Sequence, residues 1–304
     1  MTDRHCFGLH FKNPVIAASG TFGFGQEYLD YYDLSLLGGV SMKGVTLHPR
    51  PGNSGLRIAE TPGGIMNSIG LENPGIAAFL AEEMPKLAGV DIVKIANLGG
   101  SDVESYVEGA RLIEEYNVGH DNKVDLIELN ISCPNVREGG IAFGLTCEGA
   151  ASVLRAVRDV VRTPLVVKLS PNAENIVRVA QTCEDLGADG VSLINTFSSL
   201  KVDIYKRKAC FDNIYAGLSG PAIKPIALKM VREVCRAVQV PVIGIGGITT
   251  AEDALEFIMV GADLIQFGTA SFINPYAGRD IAEGIRSFME REKIQSLDEI
   301  RGIL

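Results

Sequence analysis

The most reactive side chain in the sequence is a cysteine set among polar residues. Residues 130–135 read Asn-Ile-Ser-Cys-Pro-Asn, so Cys133 lies just past the end of an apolar run and is followed by a proline. A thiol with a pKa of about 8.5 can act as a base or nucleophile if a nearby cation helps it to ionise. Lys43 and Lys168, near the ends of two other apolar runs, could supply that charge. The sequence therefore predicts a catalytic role for Cys133.

The remaining cysteines and the histidines argue against a metal site. The 4 histidines stand away from the ends of the apolar runs, and the 6 cysteines include no Cys-x-x-Cys pair. Zinc and iron–sulfur sites need such clusters, and a disulfide framework needs paired cysteines. We expect no bound metal, and we expect the cysteines other than Cys133 to be small apolar filler. This cysteine usage is also typical of a reducing, cytoplasmic compartment.

Short apolar runs organise the chain, and each of them ends in small or polar residues. They cover residues 15–19, 39–44, 91–97, 126–132, 164–170, 190–196, 241–247 and 264–269. Most are continuous rather than alternating, as expected for parallel strands covered on both faces. Segments with helical spacing lie between them, at residues 101–116, 147–161, 172–186 and 250–260. The alternation predicts an α/β fold, a (β/α)8 TIM barrel that forms a single domain over residues 1–304.

Two features refine this prediction. An open doubly wound sheet is disfavoured, because no Gly-x-Gly-x-x-Gly turn follows the first run. The connections after the second and sixth strands, residues 45–72 and 197–225, are too long to be simple turns. Loops of that length are uncommon unless they serve as lids or binding surfaces.

The candidate site follows from the barrel, because the chemistry of this fold sits at the carboxyl ends of its strands. The strand ends carry asparagines, lysines and small residues: Ser19, Lys43, Asn97, Asn130, Lys168, Asn195, Thr196, Gly246, Gly247, Gly268 and Thr269. Glycines after the last two strands are typical of a phosphate site, although tight strand-to-helix packing would also require them. The lysines leave Schiff-base chemistry open.

Two further features bear on the interior of the barrel and on its rim. Glu128 has the same strand parity as Asn130, so we expect it to point inward, one layer deeper, and to pair with an interior lysine. Residues 67–71, Asn-Ser-Ile-Gly-Leu, close the long second connection. Amides present donors and acceptors that suit a neutral, imide-like heterocycle, but the same residues also form ordinary turns.

Together these residues resemble the class 1 dihydroorotate dehydrogenases, in particular their B-type catalytic subunit. The likeness covers nearly the whole chain and rests on residues 18–25, 43–46, 67–71, 130–135, 217–225 and 244–248. Its most specific stretches are Asn-Ile-Ser-Cys-Pro-Asn, Asn-Ser-Ile-Gly-Leu and Gly-Leu-Ser-Gly. The resemblance implies a flavoprotein of de novo pyrimidine (UMP) biosynthesis that oxidises dihydroorotate to orotate, with one FMN per chain.

The resemblance also implies a role for each site residue. Cys133 would take a proton from C5 of dihydroorotate while a hydride leaves C6 for FMN. The substrate would be bound by Lys43, Asn67, Ser68, Ile69, Gly70, Leu71, Asn130, Asn195 and Thr196. FMN would be bound by Ser19, Lys43, Gly44, Asn97, Asn130, Lys168, Ile194, Gly220, Gly246, Gly247, Gly268 and Thr269. Lys168 would stabilise the reduced, anionic ring.

B-type enzymes pass their electrons to a second subunit that carries FAD and a [2Fe–2S] cluster, and from there to NAD⁺. The resemblance therefore implies a homodimer of this chain with that partner, a heterotetramer. The alternative is an A-type enzyme, a dimer that reduces fumarate directly. The chain departs from the family at Ser199 and Ala216, where glycine is usual, and this departure bears on the shape of the sixth loop.

Other functions remain open from the residues alone. A related flavoenzyme could act on another pyrimidine, and a flavin-free lyase or isomerase could bind a phosphosugar with Lys168 as its Schiff-base residue. A subunit that keeps the fold without turnover is a further alternative. The formal net charge of −9 disfavours a nucleic-acid partner, and no uncharged apolar run approaches the ~20 residues of a membrane helix.

Overall fold

The computed structural model of the chain describes residues 2–132 and 143–304. Its strands are β1 (Arg4–Cys6), β2 (Leu9–Phe11), β3 (Val15–Ala17), β4 (Gly39–Ser41), β5 (Ile58–Thr61), β6 (Gly64–Asn67), β7 (Val93–Leu98), β8 (Leu126–Asn130), β9 (Leu165–Lys168), β10 (Gly190–Leu193), β11 (Phe197–Leu200), β12 (Val202–Asp203), β13 (Lys208–Ala209), β14 (Tyr215–Ser219), β15 (Val242–Ile245) and β16 (Leu264–Phe267).

The α-helices are α1 (Ile76–Ala78), α2 (Val103–Gly119), α3 (Cys147–Arg158), α4 (Ile176–Asp185), α5 (Lys224–Cys235), α6 (Ala251–Met259), α7 (Ala270–Ile273) and α8 (Ala277–Glu292). A π-helical turn, Phe79–Glu83, continues α1. Short 3₁₀ turns occupy Gln26–Tyr28, Leu34–Leu36, Met84–Leu87, Phe143–Leu145, Pro221–Ile223 and Leu297–Glu299. None of the helices in the described residues is both long and apolar enough to cross a membrane.

The barrel prediction is confirmed. In the described part of the chain, eight parallel strands close into a barrel in the order β3-β4-β7-β8-β9-β10-β15-β16, with β16 paired back to β3. Each predicted apolar run matches one of these strands, and only β7 extends past its run, by one residue to Leu98. Most strand residues are buried, because helices cover the outer face while side chains fill the interior. The carboxyl ends of all eight strands therefore meet at one rim.

The strict alternation of strands and α-helices is wrong for the first unit. After β3 the chain forms the 3₁₀ turns Gln26–Tyr28 and Leu34–Leu36 where an α-helix was expected. Gly23 and Gly25 in this segment have φ values of 56° and 101°, outside the helical region. The segment instead packs through aromatic rings, with Phe22 stacked on Tyr28 at 3.7 Å between centroids.

The two long connections pair with each other above the rim. The second connection forms the hairpin β5–β6, the sixth supplies β11 and β14, and together they make an antiparallel sheet in the order β11-β14-β6-β5. Ser199 pairs with Ala216 inside this sheet, and the Ser199 hydroxyl donates a 2.8 Å hydrogen bond to the Ala216 carbonyl. Both departures from glycine therefore fall in extended backbone, which accepts any L residue.

A hairpin that was not predicted from the sequence covers the opposite end of the barrel. Strands β1 and β2 pair antiparallel, and their Cys6 and Phe11 join the buried apolar cluster at the start of the barrel strands. Arg4 contacts Asp263 at 3.3 Å and Asp298 at 2.6 Å. The hairpin is thereby tied to the C-terminal part of the chain.

Candidate active site

A cavity of about 290 Å³ opens at the carboxyl ends of the barrel strands, beneath the antiparallel sheet. Its predicted lining residues are Ser19, Lys43, Gly44, Asn67, Ile69, Gly70, Leu71, Asn97, Asn130, Lys168, Ile194, Asn195, Thr196, Gly220, Gly246, Gly247, Gly268 and Thr269. The residues predicted to bind the substrate and those predicted to bind FMN therefore line the same cavity. Their individual roles stay predictions.

Two predicted site residues differ from the rest. Ser68 is 2 % exposed and lies behind the cavity wall, where its backbone N–H donates to the Arg57 carbonyl at 2.8 Å and its hydroxyl accepts a hydrogen bond from Asn53 at 3.1 Å. It braces the 67–71 segment rather than facing the cavity. Cys133, the predicted base, lies outside the described residues.

The two lysines occupy different electrostatic environments. Lys168 ends β9 and is 6 % exposed, with its Nζ 3.7 Å from Oε2 of the buried Glu128. The expected pairing of Glu128 with an interior lysine is therefore confirmed. Lys43 follows β4 and forms no ion pair with any carboxylate of the described residues, so its charge is available to an anionic ligand in the cavity.

The surroundings of Glu128 favour its ionised form although the side chain is buried. Burial by itself raises the pKa of its carboxyl, but the Lys168 charge and the hydrogen bonds from Ser192, Asn97 and Gln266 outweigh burial and lower the pKa below its ordinary value. The floor of the cavity consequently carries a charge pair rather than a neutral acid.

A row of hydrogen-bonded asparagines, linked through one serine hydroxyl, lines the cavity at the level of the strand ends. Asn130 Nδ2 donates to Asn97 Oδ1 at 3.2 Å, and the Ser132 hydroxyl donates to Asn130 Oδ1 at 3.0 Å. Asn195 Nδ2 in turn donates to the Ser132 hydroxyl at 2.7 Å. The row ends at Thr196, whose backbone N–H donates to Asn195 Oδ1 at 2.8 Å. Fixed amides of this kind can read the donor and acceptor pattern of a planar heterocycle.

One wall of the cavity is built from backbone rather than side chains. Gly220, Gly246 and Gly247 have φ values of 106°, 131° and 74°, which L side chains rarely adopt. Thr269 closes this wall, and its hydroxyl donates to Ser219 Oγ at 2.9 Å. Exposed backbone beside a helix start suits an anionic group, so these residues fit the phosphate of FMN.

The glycines also serve packing, the alternative raised by the sequence. A Cβ on Gly246 would lie 2.7 Å from the Ala227 Cβ of α5, and one on Gly247 would lie 2.9 Å from the Gly220 carbonyl oxygen. Close packing and phosphate binding both require glycine at these positions, and neither role excludes the other.

Several lining residues were not predicted from the sequence. They are Ala18, Gly20, Thr21, Ile58, Ile65, Glu72, Ser219, Ile223, Ile245 and Phe272. Ser219 belongs to the Gly-Leu-Ser-Gly motif, and this motif could have identified it. Ile58 and Ile65 come from the β5–β6 hairpin, and their position depends on pairing with β14, for which the sequence carries no local signal.

Sequence comparison with known proteins places this chain in a family. A sequence model described as "Dihydroorotate dehydrogenase" matches residues 1–289. A Petrotoga mobilis protein is 58 % identical over 297 residues, covering 98 % of this chain and 97 % of its own. A Pelobacter propionicus protein is 51 % identical over 297 residues, with 98 % and 96 % covered. A Bacteroides thetaiotaomicron protein is 45 % identical over 296 residues, with 97 % and 96 % covered. All three are named "Dihydroorotate dehydrogenase B (NAD(+)), catalytic subunit".

Proposed function

The chain belongs to the dihydroorotate dehydrogenase family, and we propose that it is an FMN-dependent oxidoreductase that converts dihydroorotate to orotate in pyrimidine biosynthesis. The observation that carries the proposal is the shared cavity, in which the residues matching the substrate and flavin motifs lie side by side. The names of the relatives, which describe an NAD⁺-linked catalytic subunit, favour a B-type enzyme over a fumarate-reducing one.

The chain's own residues divide the work as follows. Lys43 supplies a positive charge for the substrate carboxylate, and the amides of Asn67, Asn130 and Asn195 bind the polar edges of the pyrimidine. Cys133 takes the proton from C5, and a positioned base of this kind contributes roughly 10²–10⁴ in rate. The hydride from C6 would go to FMN, which supplies the electron acceptor when it is bound.

FMN would lie against the residues that match its motif in the family. The backbone at Gly246, Gly247, Gly268 and Thr269 would hold the phosphate, since it exposes N–H groups without side chains in the way. Lys168 would place its charge beside the ring and favour the reduced form. The sheet of β5, β6, β11 and β14 lies over the same cavity and would exclude water from it.

The name "catalytic subunit" of the relatives implies a partner. We propose that two copies of this chain assemble with an electron-transfer subunit that carries FAD and a [2Fe–2S] cluster, as a heterotetramer. We also propose a cytoplasmic location, which the free thiols of Cys6, Cys147, Cys183, Cys210 and Cys235 support.

The visible spectrum of the purified chain tests the central proposal. We expect a yellow protein that binds FMN and loses its flavin absorbance when dihydroorotate is added without oxygen, with orotate as the product. A colourless chain that takes up no FMN would overturn the proposal and favour the phosphosugar lyase, which borohydride trapping would reveal. If uracil binds more tightly than orotate, and dihydrouracil reduces the flavin faster than dihydroorotate does, the chain acts on another pyrimidine.

A second assay tests the electron acceptor. With the co-expressed partner subunit, dihydroorotate should reduce NAD⁺ rapidly, whereas the chain alone should not. Rapid fumarate reduction by the chain alone would instead identify an A-type enzyme.

A further inference from the structure

One buried carboxylate joins much of the barrel interior. Its oxygens accept hydrogen bonds from Ser41 on β4 (2.8 Å), Asn97 on β7 (2.7 Å), Ser192 on β10 (2.8 Å) and Gln266 on β16 (2.9 Å). The carboxylate belongs to Glu128 on β8, which is 1 % exposed, and Lys168 on β9 lies 3.7 Å from it. Lys168 and Asn97 line the cavity, and Glu128 lies directly behind them.

An ionised carboxylate can only accept hydrogen bonds, and this fixes the direction of every bond that follows. Because Asn97 gives its Nδ2 to Glu128, its Oδ1 faces Asn130 and accepts from Asn130 Nδ2. Asn130 then presents its own Oδ1 to the Ser132 hydroxyl, and that hydroxyl accepts from Asn195. Each of the three cavity asparagines thus points its N–H groups along the row toward Glu128 and its Oδ1 away from Glu128.

Gln266 indicates how strongly the carboxylate imposes this order. Its Nε2 is given to Glu128, while its Oε1 is buried without a hydrogen-bond partner among the described residues. A buried acceptor without a partner is destabilising, because it has given up its hydrogen bonds to water. The amide keeps that orientation because the bond to an ionised carboxylate is the stronger one.

The charge matters as well as the hydrogen bonds. Lys168 faces the cavity, and the Glu128 carboxylate lies 3.7 Å from its Nζ. The negative charge of Glu128 therefore cancels part of the positive potential that Lys168 produces in the cavity. Because the site is buried and holds little water, the effect of the Glu128 charge on a bound group is only weakly screened.

We propose that Glu128 is a positioning residue of the active site, which fixes the donor direction of the asparagine row and limits the positive charge that Lys168 presents to the flavin. This inference rests on the proposed function, because it takes FMN as the occupant of the cavity. A purely structural core residue would affect stability alone, whereas this role also changes the electrostatics that the flavin experiences.

The test is Glu128→Gln in the FMN-loaded protein. The substitution keeps the shape, removes the negative charge and introduces an NH₂ where only an acceptor stood. Sulfite, which leaves a negative charge on the flavin when it binds, should bind roughly tenfold more tightly. The FMN potential should rise by about 30 mV, which is a tenfold change for a two-electron couple. The KM for dihydroorotate should also increase, because Asn97 and Asn130 lose their fixed direction.

Glu114→Gln is the matched control. It removes the same charge from a carboxylate that accepts the backbone N–H groups of Arg162 and Thr163, outside the cavity. Sulfite affinity and potential should stay at the wild-type values. If Glu128→Gln also shows wild-type sulfite affinity and potential, the inference is wrong.

A second variant covers the case in which Glu128→Gln does not fold. Ser41→Ala withdraws one donor from Oε2, the oxygen that faces Asn97 and Lys168, and Ser41 itself does not line the cavity. Without the Ser41 O–H dipole, the negative charge of Glu128 is less compensated at the flavin, so sulfite should bind about two- to threefold more weakly. This change is opposite in direction to the one expected for Glu128→Gln. Unchanged sulfite binding in Ser41→Ala would overturn the inference.

Failure of this inference can be told apart from failure of the proposed function. A wild-type chain that binds FMN and is bleached by dihydroorotate upholds the function whatever Glu128→Gln does. A wild-type chain that takes up no FMN overturns both.

Discussion

Asn195 Nδ2 donates a 2.7 Å hydrogen bond to the hydroxyl of Ser132, the residue that directly precedes Cys133. The bond joins the segments that follow β8 and β10, the two strands on either side of β9 in the barrel. Ser132 is buried and also donates to Asn130, so its position is fixed from both sides. Ser132, the residue that precedes the predicted base in the sequence, is therefore held between two asparagines that line the cavity.

Replacing the predicted base tests the chemical step. Cys133→Ala should still bind FMN, but dihydroorotate should reduce the flavin at least about a hundredfold more slowly, because a positioned base is worth roughly 10²–10⁴. Stopped-flow bleaching of the flavin measures this rate. Cys147→Ala, on helix α3, is the control and should bleach like the wild type. Near-wild-type bleaching by Cys133→Ala would remove this thiol from the mechanism.

The glycine wall predicts an effect on cofactor affinity. In Gly247→Ala, a Cβ would lie 2.8 Å from the Lys224 Cβ and 2.9 Å from the Gly220 carbonyl oxygen, at a φ of 74°. The backbone must shift to relieve these contacts, so FMN should bind at least about tenfold more weakly, a loss of about 1.4 kcal/mol. Fluorescence titration of the apoprotein with FMN measures the affinity.

Gly119→Ala is the control for this prediction, because a Cβ there meets nothing within 4 Å. It should leave the FMN affinity unchanged. Wild-type affinity in Gly247→Ala would show that the phosphate does not depend on this backbone.

The start of helix α6 predicts a pH dependence of stability. Asp253 accepts hydrogen bonds from the backbone N–H groups of Thr249 and Thr250 and from Lys224 Nζ at 2.6 Å. Burial alone raises the pKa of Asp253, but these bonds outweigh it and hold the pKa below its ordinary value. The resulting stability is complete above the unfolded-state pKa of about 3.9 and is lost as the pH falls through the lower, folded-state pKa.

Asp253→Asn should therefore lower the free energy of unfolding by about 1–3 kcal/mol at neutral pH. The difference from the wild type should shrink in acid below about pH 4, because the carboxyl of the unfolded wild type is protonated first and that of the folded protein follows at its lower pKa. Urea unfolding of both proteins across this range measures the difference. A gap that stays constant down to about pH 2.5 would contradict the assignment.

Two buried thiols and one half-buried thiol predict a labelling pattern. Burial raises the pKa of Cys6, Cys183 and Cys235 to about 12 in each case, so almost no thiolate exists at about pH 8. Iodoacetamide should leave these residues unmodified in the native protein and label them after unfolding, as read by peptide mass spectrometry. Rapid native labelling of Cys183, which is fully buried, would contradict the packing around helix α4.

The barrel and most of the candidate site could be predicted from the sequence because their signals are local. A continuous apolar run marks a strand covered on both faces, and the polar residue at its end marks the rim. The ends of α4 and α6 have an equally local signal, because each helix is followed by a glycine, Gly187 or Gly261, whose positive φ of 83° or 121° ends the helix. The parity of Glu128 with Asn130 also sufficed to predict a buried carboxylate paired with a lysine.

Only the tertiary structure decided which distant residues meet. Gln266 reaches Glu128 across 138 positions, and Asn67 reaches the Gly217 carbonyl across 150. Such contacts follow from closure of the barrel and from pairing between two long connections, and local propensity specifies neither. The amino-acid sequence therefore determined which barrel strands form and which side chains stand at their ends. The closed barrel determined that one acceptor at its centre orders the asparagines above it.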